Sequence, residues 1–448
     1  MKKCFPKVMV CVLGFCLVTA ALAVEVPLKY EKYPDKTKSF YPSGTAVLQK
    51  TIKPPNGEWK IPELKSEHPL YALAKLGDKE CLFIMDRQNT DDFFYNRLYY
   101  DANGNNDLTD DPVIDGALRG SPNDRSVSVN FPVVDTTIEV DGKSLPYSFR
   151  PALNGYSLKQ LEKNGYTKLN VNRYINLYLR INCTYSGEFQ INGKSYRVVL
   201  GDRNCNGRFN DKLTLPDYSK FAQANRRIRI YPQGDIFFIT GSEKIDMFDE
   251  QTLGDWLLVN NKLYSVNINT AEGKMTLTPV TEKLVPLKLA MKTERISLCM
   301  EDNKQSMMIY QPGKEIRIPQ GKYRFLAYEA FKKDDQGDLW RLCAAATLKS
   351  PIVTVDGSSK SVLEFGEPYM PIVDVRRIGE KSSNRASLAF NVEGKGKEFL
   401  TDLSHISGDK TKIQLSEEEG LEHRPKAPTY KIVKADGEVV KQGSFEYG

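Results

Sequence analysis

Short runs of apolar residues recur along the chain from about Tyr71, and many alternate with polar residues at the two-residue period of a half-buried β-strand. Cys81–Met85 and Leu98–Tyr100 are apolar throughout, which is typical of buried strands. Neighbouring runs are separated by residue pairs that tolerate the positive φ angles of tight hairpin turns. These pairs are Asp141-Gly142, Asn192-Gly193 and Asn260-Asn261. The pattern predicts a β-meander.

One helix interrupts this pattern. Ser157 is a suitable N-cap for Leu158–Lys163, and Asn164-Gly165 provides a stop signal. Beyond residue 286, strand-like runs recur about every ten residues with Gly, Asn or Asp between them, as in immunoglobulin-like β-sandwiches. The sequence therefore predicts a mostly β, multidomain protein.

Two proline-rich stretches suggest where domains meet. Pro279–Pro286 and Gly366–Pro371 each lie between strand runs, and the second combines two prolines with a glycine, which is typical of a linker. We predict five segments along the chain. These are a signal peptide (1–23), an extended arm (24–65), a β domain (66–285), a β-sandwich module (286–366) and a C-terminal β-sandwich module (371–448).

The amino terminus predicts export. Lys2, Lys3 and Lys7 precede an apolar run from Val8 to Val18, and Ala21-Leu22-Ala23 matches the small-x-small pattern of a signal-peptidase site. Cleavage after Ala23 would place the mature chain outside the cytoplasm, either secreted or in the periplasm. The apolar run is too short to span a bilayer, and no later segment is long and apolar enough, so we predict no transmembrane segment in the mature chain.

Charge and cysteine content narrow the function. The formal charge of +6 falls to +3 when the three lysines of the predicted signal peptide are removed, and no basic stripe that would suit nucleic acid remains. Five cysteines stay in the mature chain, an odd number, and none belongs to a Cys-x-x-Cys motif. Cys183 and Cys205 lie within one predicted unit and are candidates for a disulfide.

The most informative stretch occurs twice, as Asp101–Asp110 and Asp202–Asp211. Both copies read Asp-x-Asn-x-Asn-x-x-(Leu/Phe)-(Thr/Asn)-Asp, and each follows an apolar run. Oxygen-bearing side chains at alternate positions of a tight loop can supply the six to eight ligands that Ca²⁺ prefers. The predicted ligands are Asp101, Asn103, Asn105, Asp107 and Asp110 in the first copy, and Asp202, Asn204, Asn206, Asn210 and Asp211 in the second.

These ten-residue stretches resemble the calcium-binding loops of EF-hand and dockerin-type modules. Gly207 stands at the sixth position, where such loops turn sharply, and Asn106 stands there in the first copy. The resemblance implies bound Ca²⁺, but position twelve holds Pro112 and Leu213 instead of the bidentate Glu. Asp110, Asp111 and Asp211 lie one or two residues earlier and are the candidate substitutes. The alternative is that both stretches are Asx-rich turns without metal.

The sequence contains no catalytic motif. Only three histidines are present, and none has a nucleophile or metal-ligand partner at a recognised spacing. We therefore expect no catalytic residues and predict a calcium-stabilised binding or structural protein of the cell surface or periplasm, whose partner is an extracellular protein or glycan. The alternative is a secreted, polysaccharide-active hydrolase, because a scattered pair of carboxylates needs no local motif.

Overall fold

The computed structural model describes residues 22–34, 40–124, 126–163, 173–221, 228–241, 245–358, 361–378, 385–408 and 413–446. The chain is mostly β, with 53% of residues in strands and 3% in helices, which confirms the fold class that the hydrophobic pattern predicts. The predicted signal peptide lies outside the described residues except for Leu22 and Ala23. No helix among the described residues has the length and apolar character needed to cross a bilayer.

The strands of the first half are β1 (Val24–Pro27), β2 (Lys29–Lys32), β3 (Thr45–Leu48), β4 (Lys50–Thr51), β5 (Leu70–Leu76), β6 (Lys79–Asp86), β7 (Arg97–Tyr100), β8 (Ile114–Asp115), β9 (Ala117–Arg119), β10 (Val127–Asn130), β11 (Val134–Val140), β12 (Lys143–Gly155), β13 (Ile175–Ile181), β14 (Cys183–Ile191), β15 (Lys194–Gly201) and β16 (Ile236–Thr240). The α-helix is α1 (Leu158–Lys163), and the short 3-10 helices are Ser219–Phe221, Met247–Asp249 and Thr270–Glu272.

The strands of the second half are β17 (Glu250–Thr252), β18 (Trp256–Val259), β19 (Lys262–Asn269), β20 (Lys274–Pro279), β21 (Leu284–Leu289), β22 (Arg295–Met300), β23 (Ser306–Tyr310), β24 (Glu315–Pro319), β25 (Gly321–Lys333), β26 (Leu339–Ala345), β27 (Ile352–Val355), β28 (Val362–Leu363), β29 (Met370–Ile378), β30 (Arg385–Glu393), β31 (Phe399–Ser407), β32 (Thr429–Val433) and β33 (Val439–Ser444).

The predicted turns and helix cap are confirmed. Asp141 and Gly142 adopt φ angles of 51° and 73° between β11 and β12, and Asn192 and Gly193 adopt 51° and 77° between β14 and β15. At the start of α1, the Ser157 hydroxyl accepts a hydrogen bond from the Gln160 backbone N–H at 3.0 Å. The residues that follow α1, including the predicted stop at 164–165, lie outside the described part of the chain.

The strands form several sheets, of which the largest has 12 strands. Its order is β1-β20-β19-β18-β23-β22-β25-β26-β31-β30-β29, with β27 beside β25. Smaller sheets carry the two Asx-rich loops. The sheet β4-β5-β6-β7-β8 ends its fourth strand at Asp101, and the sheet β17-β16-β15-β14-β2 ends β15 directly before Asp202.

At the centre of the large sheet, β18 and β23 pair in parallel and every residue of both strands is buried. Side chains on opposite faces of these strands belong to different hydrophobic clusters, because successive residues of a strand point in opposite directions. On β18, Leu257 and Val259 join a cluster formed mainly by the first half of the chain. Trp256 and Leu258 join a cluster formed mainly by the second half. The large sheet therefore separates two cores.

The large sheet continues across both predicted domain boundaries. β18 precedes the boundary at residue 285 and pairs with β23, and β26 precedes the predicted linker at 366–371 and pairs with β31 over its whole length. Pairing between strands far apart in the chain leaves no local pattern in the sequence. The predicted boundaries therefore rest only on the proline-rich stretches.

The predicted N-terminal arm is extended but forms strands. β1 pairs with β20, β2 with β14, β3 with β13 and β4 with β5, and each of the four lies at the edge of a different sheet. Unpaired sheet edges expose backbone N–H and C=O groups and invite aggregation. The arm therefore covers one edge of each of four sheets.

The five cysteines among the described residues are free thiols, so the candidate disulfide is not formed. The Cys183 thiol donates to the Ser148 carbonyl at 3.4 Å, and the Cys205 thiol donates to the Leu179 carbonyl at 3.2 Å. Burial raises the pKa of the Cys183 thiol to about 12. Both cysteines serve as small buried side chains of the first core.

Candidate metal centres

The first loop, Asp101–Asp111, begins where β7 leaves its sheet. The Asp101 backbone N–H donates to the Leu82 carbonyl at 2.9 Å, which fixes the residue against β6. Its carboxylate is fully buried and turns into the loop, where Oδ1 accepts from the Asn105 N–H at 3.1 Å and Oδ2 accepts from the Asn106 N–H at 3.2 Å. A carboxylate at the first position thus organises the loop backbone around itself.

Alternate side chains of the first loop point to the same interior. Asn103 Oδ1 accepts from the Asn105 N–H at 2.9 Å, and Asn105 Oδ1 accepts from the Asp107 N–H at 2.7 Å. The Asn105 amide also donates to Asp110 Oδ2 at 3.0 Å. A side-chain carbonyl or carboxylate oxygen has two lone pairs, so one can accept the backbone N–H while the other faces a cation.

The second loop, Asp202–Asp211, repeats these hydrogen bonds at the same relative positions. Asp202 Oδ1 accepts from the Asn206 N–H at 3.1 Å, and Oδ2 accepts from the Gly207 N–H at 2.7 Å. Asn204 Oδ1 accepts from the Asn206 N–H at 3.1 Å, and the Asn206 amide donates to Asp211 Oδ2 at 2.8 Å. The two loops therefore share one internal design.

The backbone follows the same path in both loops. The fourth and sixth positions have positive φ in each, with 68° at Gly104 and 66° at Asn106, and 53° at Cys205 and 83° at Gly207. At the sixth position, both residues have the positive φ that a sharp turn of the loop requires there. A Cβ on Gly207 would come within 2.3 Å of Ile138, which adds a packing reason for glycine there.

Not every predicted ligand joins these sets. Asp107 turns outward, where its Oδ2 lies 2.7 Å from Lys60 Nζ, and its Oδ1 accepts from the Thr109 N–H at 3.0 Å. The Lys60 ammonium is the first cause that holds the pKa of Asp107 low, at about 2. Asn210 is part-buried in the second loop and takes no part in the shared hydrogen bonds. The structure brings together Asp101, Asn103, Asn105 and Asp110, and also Asp202, Asn204, Asn206 and Asp211.

Asp111 adds a carboxylate beside the first loop. Its Oδ2 is buried and has no hydrogen-bond partner. Burial raises the pKa of this carboxyl to about 6, and the negative charges of Asp101, Asp110 and Asp107 contribute to the shift. An unsatisfied carboxylate oxygen next to three other acids is costly unless a cation approaches it.

The second loop is supported by two residues that motif reading does not find. Tyr147 on β12 donates its hydroxyl to Asp202 Oδ2 at 2.8 Å, and both groups are buried. Asp235, which is 1% exposed, accepts from the Arg203 N–H at 3.0 Å and from the Asp211 N–H at 2.8 Å. Asp235 thereby ties the second and tenth loop positions together. It lies 24 residues beyond the loop, so loop spacing offers no signal for it.

Among the described residues, the buried carboxyls at the second loop, Asp202 and Asp235, have no basic partner. Burial is the largest cause that raises the pKa of Asp202 to about 7 and that of Asp235 to about 9. Arg203 directs its guanidinium to Glu250 at 2.6 Å and to the Gly234 carbonyl at 2.8 Å. Lys212 donates to backbone carbonyls instead. An arriving divalent cation would supply the missing charge.

One hairpin turn contacts both loops. Gly77, between β5 and β6, donates its N–H to the Asn206 carbonyl at 2.6 Å, and Asp78 lies 2.5 Å from the Arg208 guanidinium. Two residues on, Lys79 Nζ donates to the Asn103 carbonyl at 2.9 Å. Gly77 has a φ of 64°, and a Cβ there would come within 2.1 Å of the Glu139 carbonyl. The positive φ of Gly77 and the close approach of this turn to β11 therefore require glycine.

Within the described residues, no three side chains of His, Cys, Asp or Glu form a metal-binding cluster. The loop sets differ from such clusters because half of their side chains are asparagine amides. The fold and these loops define the chain as a mostly β protein with two matching Asx-rich loops. Comparison with family models, with curated proteins and with solved structures finds no match.

Proposed function

We propose that both loops bind Ca²⁺ and that the protein is an exported, calcium-stabilised binding or structural protein of the cell surface or periplasm. The observation that carries this proposal is the repetition of one hydrogen-bonded loop design at two places about 100 residues apart. A common ligand would account for the recurrence of these side-chain hydrogen bonds, positive φ positions and terminal carboxylates in two distant loops, a combination that Asx turns alone do not require.

The charges around the second loop also support a cation. Asp202 and Asp235 are buried carboxyls without an ion pair among the described residues, and a buried acid without a partner is strongly disfavoured in its charged form. Ca²⁺ suits the set because it accepts carboxylate and amide oxygens in flexible geometry, whereas Mg²⁺ demands a rigid octahedron. Export rests on the N-terminal pattern alone.

Calcium titration by calorimetry tests the proposal. We expect two calcium ions per chain, and we expect Asp101→Asn and Asp202→Asn each to remove one of them. Asparagine removes the charge and keeps the side-chain shape and one acceptor oxygen, and its amide replaces the other oxygen that accepts a loop N–H, so it disturbs the loop less than alanine would. Asp249→Asn, far from both loops in sequence, is the matched control and should retain two ions. A wild-type chain that binds no calcium at millimolar concentration would show that both loops are metal-free turns.

A secreted hydrolase is the second candidate. The observation in its favour is a pair of carboxyls, Asp249 and Glu329, which both form ion pairs with Arg295 at the base of a cleft. Burial is the main reason that the pKa of Glu329 rises to about 7, and a carboxyl that holds its proton near neutrality is what a glycosidase acid needs. Release of reducing ends from polysaccharides, lost in Glu329→Gln, would favour this candidate.

A further inference from the structure

A cavity outside the two loops lies where five strands and a 3-10 helix meet. Its volume is about 690 Å³, which is within the range of small-molecule sites in proteins. Its walls come from the start of β15, the end of β16, the turn Met247–Asp249, the start of β22, the end of β23 and the outer part of β25. We call it the Arg295 cleft.

The base of the Arg295 cleft is a preorganised set of polar groups. Arg295 is 6% exposed, and its guanidinium lies 2.7 Å from Asp249 Oδ1 and in contact with Glu329. The same guanidinium lies over the Tyr310 ring, 5.5 Å from its centroid. Because ion pairs and a ring hold Arg295 from several sides, its position does not depend on a ligand, and its Nε has no hydrogen-bond partner.

The walls of the cleft add a second kind of surface. Phe331 is 44% exposed although it lines the cavity, so its ring presents an apolar face to solvent. Tyr196 lies on another side and packs edge-on against Tyr310 at 6.0 Å between ring centroids. The exposed rim also carries donors and acceptors in the Gln311 amide and the Glu294 carboxylate, which bond to each other.

This combination selects for a neutral ligand with many hydroxyl groups. The buried carboxylates at the base of the cleft are already matched by arginine, because Asp249 and Glu329 both contact Arg295. A strongly charged ligand would therefore meet paired groups at the base, and the lining residues without an ion pair among the described residues, Lys194 and Glu294, are more exposed than that base. Hydroxyl groups both donate and accept, so they can use carboxylates and guanidinium together, while the C–H face of a sugar ring can stack on Phe331.

We propose that the Arg295 cleft is a saccharide-binding site, with Phe331 as the stacking platform and Arg295, Glu294 and Glu329 as hydrogen-bonding groups. This inference rests on the proposed role as an extracellular binding protein and names the class of its partner. It does not depend on calcium, because none of these residues belongs to either loop. It also holds whether or not the bound saccharide is cleaved.

A glycan array provides the test, using the whole mature chain labelled at its amines and applied both in calcium and in chelator. We expect retention of one family of neutral glycans. Phe331→Ala should weaken binding of a retained oligosaccharide about tenfold by calorimetry, because one ring stack is worth about 1.4 kcal/mol. Phe331→Trp should restore it. Tyr231→Ala is the matched control, since Tyr231 is 61% exposed and lies outside the cleft.

The possible outcomes are distinct. Binding that Phe331→Ala weakens and Tyr231→Ala leaves within twofold supports the inference, in chelator as well as in calcium. No retained glycan, or retention that both variants affect equally, overturns it. Retention of amines such as putrescine in preference to any saccharide also overturns it. Glycan binding in chelator by a chain that binds no calcium would refute the calcium proposal alone.

Discussion

Two regions of this protein gather buried acids, and they treat the negative charge in opposite ways. In the arginine cluster, which comprises Asp249, Arg295, Glu329, Arg341, Asp402 and Arg424, the chain provides its own cations. Arg295 pairs with two carboxylates, and the Arg424 guanidinium lies 3.2 Å from Asp402. In the loop region, Asp101–Asp111 and Asp202–Asp211, backbone N–H groups and asparagine amides surround the acids and no guanidinium contacts the first position of either loop.

The difference shows what each region is built to receive. Removing ions from water costs several kcal/mol each, so a chain that keeps acids buried must supply cations or take them from solution. The arginine cluster is complete without a ligand ion, which leaves its cleft suited to a neutral molecule. At the second loop, Asp202 and Asp235 are buried and pair with no basic group among the described residues, and burial raises the pKa of both carboxyls. The loop region is therefore the part of the molecule where we expect Ca²⁺ to bind.

Removing the Arg295 guanidinium should have the largest effect on the stability of the protein. We expect Arg295→Ala to lower the free energy of unfolding by about 3–5 kcal/mol, because it leaves two buried carboxylates without a partner. Arg97→Ala is the matched control, since Arg97 forms a part-exposed ion pair with Asp115 and such pairs contribute about 0–1 kcal/mol. Chemical denaturation measures both. Equal losses in the two variants would contradict the idea that the arginine cluster is an obligatory charge balance.

The arginine cluster should also impart a pH dependence. Burial first, and then the negative charges of Asp249 and Glu294, raise the pKa of Glu329 from 4.5 to about 7. Between these values the folded state holds a proton that the unfolded state has released. The stability contributed by this group is therefore complete below about pH 4.5 and is lost as the pH rises to about 7.

We expect this loss to reach at most about 3 kcal/mol, since one pKa unit corresponds to 1.36 kcal/mol. Denaturation curves of the wild type and of Glu329→Gln between pH 4.5 and 8 measure it, because glutamine cannot titrate. The two profiles should converge toward acid and separate toward neutrality. Parallel profiles would mean that Glu329 keeps an ordinary pKa in the folded chain.

Calcium should stabilise the chain through the loop region alone. A ligand that binds only the folded state adds about 1.4–2.7 kcal/mol per site at ten to a hundred times its dissociation constant, which is a few degrees of melting temperature for a large domain. The double variant Asp101→Asn with Asp202→Asn should lose this increment, whereas Glu329→Gln should keep it. Alanine is unsuitable at Asp202, because it would strand the Tyr147 hydroxyl and two backbone N–H groups. A melt that is the same in calcium and in chelator would refute the metal proposal.

Features that depend on neighbouring residues are predictable from the sequence, whereas contacts between residues far apart in the chain are not. Turn chemistry is local, so Asn192-Gly193 and the Ser157 cap are readable from neighbouring residues and are confirmed. The shared design of the two loops is also local, because each bond joins residues within five positions in the chain. The ion pair between Asp107 and Lys60 is not predictable from the sequence, because Lys60 lies 47 residues away and a salt bridge over that distance leaves no pattern.

Long-range pairing explains what sequence does not show. Asp235 supports the second loop from a separate strand start, and Arg295 and Glu329 meet only because β22 and β25 are neighbours in the large sheet. The predicted boundary at residue 285 fails to interrupt that sheet, since β18 pairs in parallel with β23. Parallel strands are joined by a long connection, so the sequence contains no hairpin-turn signal that would predict their pairing.

The smallest expected effect concerns Lys60, whose ammonium pairs with Asp107 of the first loop. Its Nζ lies 2.7 Å from Asp107 and its side chain is 76% exposed. Lys60→Ala should change stability by less than about 1 kcal/mol, because exposed ion pairs contribute little. It should raise the calcium affinity of the first loop about two- to fivefold, since a competing cation leaves and Asp107 becomes available. Calorimetry in the Asp202→Asn background isolates this loop. Lys304→Ala, which breaks the exposed pair with Asp302, is the matched control and should leave the affinity unchanged. The gain should shrink in high salt, where exposed charges are screened. A Lys60→Ala chain with unaltered affinity would mean that Asp107 stays outside the first coordination set even when it is free to turn.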